Sequence, residues 1–293
     1  MSQKFDVETY LRRIGFTAPE TAPGAGAGTA PRADGDAGTA VRAGLPVPDA
    51  ETLRLLHKRH LMSVAYDSSH FIESFTGFRN VVDIDVDEAF QAIVVNGQGG
   101  VCHDLNGLFR RLLTELGYDV SIVAASQRWP NGQFGPDFEH TFTFVRLDGE
   151  TWLVDVGFAG PSYLEPLRVT DAVQRQFGCD YRLTENGTYH VLERKDATSD
   201  WRPVYRFELK ARAVSDWDSP HDTAVEEVVR DSLFAGTVLR GRATHNGQLV
   251  LTGRRLLQVE DGREKTRTLI DKAEYEGVVK DILAGAGAGA GNS

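Results

Sequence analysis

The hydrophobic pattern of this chain changes period at Gly117, and that break narrows the possible folds more than any other feature. Before it, apolar residues recur at spacings of three and four, and Leu105, Leu108, Phe109, Leu112, Leu113 and Leu116 form one helical stripe that Gly117 is placed to end. Asp6 caps a short helix carrying Val7, Tyr10, Leu11 and Ile14, stopped by Gly15. Pro48-Asp49 opens a second, with Leu53, Leu56, His60, Leu61 and Val64 on one side. A third runs from about Asp87 through Phe90, Ile93 and Val94 to Asn96-Gly97. After Gly117, short β-rich runs take over at 120–124, 138–147, 151–158, 181–183, 189–193 and 204–209. A helical bundle followed by an antiparallel sheet or barrel is the α+β class. The remainder mixes a helix at 224–233, strands around 249–257 and a last helix from about Lys272 to Leu283, with no internal repeat.

At 293 residues, with ordinary hydrophobic content, the chain is long enough for a sizeable core. A net charge of −10 without a Lys/Arg cluster argues against nucleic-acid binding. No apolar run reaches membrane-spanning length, and the N-terminus lacks a signal-peptide core, so the expected compartment is the cytoplasm, away from membranes. Two cysteines, Cys102 and Cys179, provide no disulfide framework and fit a reducing compartment. Residues about 20–45 turn to Ala, Gly, Pro and Thr, a composition that cannot bury enough apolar surface to offset ordering. They read as a flexible insertion without a catalytic role, and 284–293 reads as a disordered tail of the same kind.

Cys102 stands in Gly99-Gly100-Val101-Cys102-His103-Asp104-Leu105-Asn106-Gly107, which places it at or near a helix N-terminus. Unpaired N–H groups and the positive end of the helix dipole favour a thiolate there. Downstream, Glu139-His140-Thr141-Phe142-Thr143-Phe144 alternates as a strand, and Asp148-Gly149 reads as a two-residue hairpin turn. If Leu147 pairs with Glu150, His140 and Asp155 become diagonal neighbours on one face, within side-chain reach. A carboxylate beside a histidine orients the ring and stabilises its charged form, so Cys102, His140 and Asp155 are candidates for nucleophile, base and orienter.

Plainer readings compete. A lone cysteine is often inert, and a histidine on an aromatic strand face is often a satisfied core residue. Asp155, within Trp152-Leu153-Val154-Asp155-Val156-Gly157-Phe158, is harder to explain that way, because a carboxylate among apolar residues needs a partner. Zinc is the other use of such residues, but no Cys-x-x-Cys or His-x-x-x-His pair exists, so no metal is expected. His103, His57, His60 and His70 read as surface or groove residues.

These segments resemble the arylamine N-acetyltransferases, marked by Arg-Gly-Gly-x-Cys-x-Glu-x-Asn-Gly, then a strand histidine, then Asp-Val-Gly-Phe. Here they align with Gln98-Gly99-Gly100-Val101-Cys102-His103-Asp104-Leu105-Asn106-Gly107, with Glu139-His140-Thr141-Phe142 and with Asp155-Val156-Gly157-Phe158. Gln98 and Asp104 depart from the family's Arg and Glu. Ala65-Tyr66-Asp67-Ser68 stands where Pro-Phe-Glu-Asn is common. An Arg–carboxylate pair near the nucleophile is therefore expected to be missing.

The resemblance implies a cysteine-protease-like core in three parts: a helical bundle at 1–117, a β-barrel at 118–209 carrying the His and Asp, and an α/β lid at 210–283. It implies the triad Cys102, His140 and Asp155, with the backbone of Cys102 and His103 supporting an oxyanion and Phe142, Phe158 and Tyr66 as candidate substrate contacts. Stretches such as Leu55-Leu56-His57-Lys58-Arg59-His60-Leu61-Met62 and Gly160-Pro161-Ser162-Tyr163-Leu164-Glu165 look most like the ansamycin (rifamycin-type) polyketide amide synthase branch. The implied activity moves a polyketide acyl chain from a carrier-protein pantetheine thioester to Cys102 and then to an arylamine, closing a macrolactam. The implied partners are an acyl carrier protein of a polyketide synthase and an arylamine-containing polyketide, and no bound cofactor is implied. Two alternatives stand: acetyl-CoA-dependent arylamine N-acetylation on the same triad, and a non-catalytic aromatic-ligand module using Phe142 and Phe144.

Overall fold

The computed structural model describes residues 3–16, 45–70, 84–217 and 237–285. The expected helix at 224–233, the Ala/Gly/Pro insertion up to residue 44 and the tail beyond 285 lie outside the described residues.

Aspartates start the helices. Asp6, Asp49 and Asp271 each accept a backbone N–H three residues on, at 2.8, 2.7 and 2.8 Å, and so cap α1 (Val7–Arg13), α2 (Ala50–Ser63) and α5 (Lys272–Ala284). Asp85 does the same for α3 (Val86–Ala89). The sequence predicts one regular helix from Asp87 onward. Instead α3 widens into a π-helical turn, Phe90–Val95, that brings Phe90, Ile93 and Val94 to the core together.

The central element is α4 (Cys102–Glu115). Its apolar stripe packs on one side against Tyr10, Ile14, Leu53, Leu56 and Phe90, and the same cluster takes in Val145, Val154 and Val156 from the barrel. The helix is thus the shared wall between bundle and barrel.

The barrel strands are β2 (Asp119–Gln127), β3 (His140–Leu147), β4 (Glu150–Val154), β5 (Leu167–Arg168), β6 (Gln174–Gln176), β7 (Cys179–Asn186), β8 (Tyr189–Lys195) and β9 (Arg202–Phe207). They form one antiparallel eight-stranded sheet in the order β5-β4-β3-β2-β9-β8-β7-β6. Its two edges approach each other through side chains. The Arg168 N–H donates to Gln174 Oε1, and Gln174 Nε2 donates back to the Arg168 carbonyl, both at 2.9 Å. The curl makes a nearly closed barrel filled by Val123, Phe142, Phe144, Leu153, Tyr163, Tyr181, Leu192, Tyr205 and Phe207.

A second antiparallel sheet follows, with five strands in the order β1-β10-β11-β12-β13. Four belong to the C-terminal segment: β10 (Leu239–Ala243), β11 (Gly247–Thr252), β12 (Arg255–Glu260) and β13 (Arg263–Thr268). The sequence predicts strands only around 249–257 there. The edge strand β1 (Tyr66–Asp67) comes from the helical segment, so this sheet is not built by residues after 210 alone. Ala65, Leu251, Leu256, Leu269 and Ile282 bury its contact with α5. Among the described residues, no helix is long and apolar enough to cross a membrane.

Candidate active site

Cys102 is the first residue of α4, with Val101 as N-cap. Asp104 reaches back one turn, its carboxylate accepting the Val101 N–H at 3.2 Å, which fixes the entry to the helix. Gly99 is required by close approach, and Gly100 lies in a tight space. A Cβ on Gly99 would lie 2.7 Å from the Asp67 Cβ, and one on Gly100 would lie 2.7 Å from the Ile93 side chain. The loop is laced to β1 by two backbone bonds, Asp67 N–H to the Gly100 carbonyl at 3.0 Å and Gly100 N–H to the Ala65 carbonyl at 3.3 Å.

The hairpin register is Leu147 opposite Glu150 through Thr143 opposite Val154, with Asp148 and Gly149 both at positive φ, as a two-residue turn with two left-handed positions requires. Pairing ends there, and the next residue, Asp155, meets His140 side chain to side chain, Nε2 to Oδ2 at 2.8 Å, with both side chains fully buried. Burial alone would discharge the ring. The Asp155 charge and hydrogen bond outweigh it and push His140 up to about 10. Burial likewise raises the Asp155 carboxyl, but the His140 charge and bonds from His140, Asn106 and the Gly157 N–H hold it below the usual carboxylate range.

Burial also pushes the Cys102 thiol up. The charge and hydrogen bond of His103, then the bond and charge of His140, reverse that and bring it down to about 6. These shifts favour a thiolate at Cys102 and the charged form of His140 near neutral pH, a pairing that cysteine nucleophilic chemistry requires.

Asn106, one turn beyond Cys102, holds the pieces together. Its Nδ2 donates to the Thr141 carbonyl at 2.7 Å and to Asp155 Oδ1 at 3.0 Å, while its Oδ1 accepts the Val156 N–H at 3.0 Å. Gly157 lets the loop after Asp155 lie against α4, because a Cβ there would sit 2.6 Å from Asn106 Nδ2 and 2.8 Å from the Cys102 backbone. The sequence reading gave Asn106 no role, although it stands four residues after Cys102 in the Asn-Gly of the motif that carries the family resemblance.

Three histidines read from sequence as surface or groove residues are buried. His57 and His60 are 0% exposed and His103 is 3% exposed, whereas His70 is exposed. Burial drops His57 to about 4, so it is neutral. Its Nδ1 donates to the Leu164 carbonyl at 2.9 Å, and its Nε2 accepts the Asp155 N–H at 3.2 Å. It clamps the backbone that presents the Asp155 carboxylate. His60 lies deeper, hydrogen-bonded through Nδ1 to the Tyr10 hydroxyl at 2.9 Å.

The ion pair expected to be missing is present with another arginine. Gln98 supplies none, but Arg240 on β10 lies 3.1 Å from the Asp67 carboxylate beside the Gly99-Gly100 loop. Phe142 is wholly buried, its ring against Phe144, Tyr205 and Phe207, so it serves the barrel core rather than an open groove. Phe158 and Tyr66 are half-buried, and the Phe158 ring meets His140 edge-on at 5.7 Å. Among the described residues, no group of three or more His, Cys, Asp or Glu is arranged to hold a metal ion.

The fold is that of the arylamine N-acetyltransferases. The Mycobacterium marinum arylamine N-acetyltransferase in complex with CoA superposes with a TM-score of 0.73 at 24% identity, covering 95% of this chain and 93% of that one. The N-acetyltransferase family model matches residues 49–284, and the chain belongs to that family. It is 43% identical over 283 residues to the proansamycin X synthase of Amycolatopsis mediterranei, covering 96% of this chain and 98% of that protein. It is 30% identical over 175 residues to the arylamine N-acetyltransferase of Escherichia coli, covering 59% of this chain and 60% of that protein.

Proposed function

We propose that this acyltransferase is an amide synthase that closes a macrolactam, with Cys102 as nucleophile, His140 as proton carrier and Asp155 as its orienter. The observation that carries the choice of substrate is the end-to-end likeness to proansamycin X synthase, which extends over 96% of the chain. The Cys102 thiolate attacks the carbonyl of a pantetheine thioester. An S–C bond forms, the pantetheine sulfur departs, and it takes its proton from His140. An arylamine, neutral at pH 7, then attacks the acyl-enzyme. The amide C–N bond forms, the C–S bond breaks with its electron pair returning to Cys102, and His140 accepts the amine proton. The N–H groups of Cys102 and His103 lie outside the helical hydrogen-bond ladder and suit the oxyanion in both halves. The donor on this reading is a polyketide on an acyl carrier protein.

Acetyl-CoA-dependent arylamine acetylation is the second reading, favoured by the E. coli relative. The two differ in what the site must hold. A macrolactam-forming enzyme uses binding energy from a long acyl chain to return its far end to the thioester, so truncated donors lose turnover as well as affinity. The expected result is cyclisation of a carrier-bound or pantetheine thioester ending in an aminophenol, with slow or no acetylation of simple anilines. Rapid acetyl-CoA turnover without cyclisation would reverse the assignment.

A further inference from the structure

The sulfur of Cys102 has an imidazole beside it that the reaction above leaves unused. His103 Nδ1 lies 3.4 Å from Cys102 Sγ, with both side chains buried. His140, by contrast, commits Nε2 to Asp155, and its Nδ1 completes no hydrogen bond of ordinary geometry among the described residues. Of the two imidazoles that act on Sγ, the one whose hydrogen bond to it has ordinary geometry is therefore His103. A thiolate only accepts, so the proton in that bond belongs to the imidazole.

We propose that His103 is a second catalytic imidazole, whose Nδ1–H donates to the Cys102 sulfur and stabilises it as a thiolate, above all as the leaving group when the amide forms. This rests on the acyl-transfer reading given above. The two rings divide the work. His140 moves the proton, giving it to the departing pantetheine sulfur and recovering it from the amine. His103 keeps its proton throughout, and its bond weakens when the sulfur becomes a neutral thioester and strengthens again as the C–S bond breaks. An arylamine is a weak nucleophile, so help to the leaving sulfur falls on the demanding half of the cycle. The same help has a cost, because a better-stabilised thiolate is a weaker nucleophile.

Other charged and titratable groups act on this sulfur: His140 on β3 with Asp155 behind it, Glu139 just before β3 and Tyr66 on β1, which itself feels Asp104 on the same helix as Cys102. All remain in place when residue 103 alone is changed. The test is the rate of iodoacetamide alkylation of Cys102 against pH, read by mass spectrometry of its peptide, with melting temperature measured alongside. In H103F the midpoint should rise by about one to two pH units, as expected for losing a hydrogen bond to a charged acceptor. The high-pH plateau should rise by roughly three- to tenfold, because nucleophilicity follows basicity. Release of the acyl group to the amine should slow by on the order of tenfold.

H103N and H103Q give an internal control that stands even if H103F fails to fold. The amide nitrogen of Asn falls near the Nδ1 position and that of Gln near Nε2, so H103N should keep the hydrogen-bond part of the depressed midpoint, losing only the part due to the His103 charge, and H103Q should lose both. A wild-type midpoint in H103Q, or an equal shift in H103N and H103Q, would overturn the proposal. Alkylation needs no acyl donor, so these outcomes are separate from the fate of the amide-synthase reading. An ordinary thiol at Cys102 in the unmodified protein would instead strike the acyl-enzyme itself.

Discussion

At the scale of single residues the site depends on reversing what burial does to charge. Cys102, His140 and Asp155 are all shielded from water, which alone would favour the neutral form of each, and contacts with one another, and with His103 at the sulfur, favour the ions instead. With the thiol at about 6 and the imidazole at about 10, thiolate and imidazolium coexist between those values. Alkylation of Cys102 by iodoacetamide should therefore rise as pH climbs through about 6. Below that the thiol is protonated. Cys179, buried with its sulfur 3.1 Å from an Arg194 nitrogen, should react slowly at pH 6, and equal labelling of the two cysteines would remove the case for an activated nucleophile. D155N keeps the shape of the side chain but not its charge, so the imidazolium loses its counter-ion and the ring its orienter. The expected loss in kcat is large, about a thousandfold or more, far beyond what the accompanying fall in melting temperature would cause. Wild-type rates in D155N would count against all three assigned roles.

At the scale of elements, the loop that leads into Cys102 is held from two directions. Asn106 and Gly157 bring α4 against the end of β4, while β1 lashes Gly100 to the C-terminal sheet. Asp67 and Arg240 clamp that second junction, with side chains only 6% and 13% exposed. Removing the arginine strands a buried carboxylate, which costs about 3 kcal/mol when no new partner is found. R240M should therefore lower the melting temperature and slow turnover. A double variant D67N/R240M should recover much of the stability, since no charge is then left alone. A melting temperature for R240M equal to wild type would show that the pair does not brace the loop. The pair was invisible along the chain, because its arginine stands 173 positions after the carboxylate and belongs to a strand whose partner is β1.

At the scale of the whole molecule, bundle and barrel share α4 as a wall, and the C-terminal sheet borrows its edge strand from the bundle segment, so the site lies where all three meet. The Ala/Gly/Pro stretch lies outside the described residues, and its composition predicts a flexible insertion. Deleting Pro23 to Ala43 should leave kcat/KM and melting temperature nearly unchanged, since loop-closure entropy varies only with the logarithm of length. A large loss of activity would give the segment a functional role.

The sequence by itself determined what depends on near neighbours. Helical spacing and caps set α1, α2, α4 and α5, and the Asp148-Gly149 turn set a register that brings His140 to Asp155. Only the tertiary structure decided the depth of His57 and His60, the contact of His103 with sulfur, the bridging by Asn106 and the pairing of Asp67 with Arg240. A period of two or of 3.6 tells which face of an element turns inward. It does not tell which other element that face will meet, and a buried polar side chain takes its function from the partner it finds there.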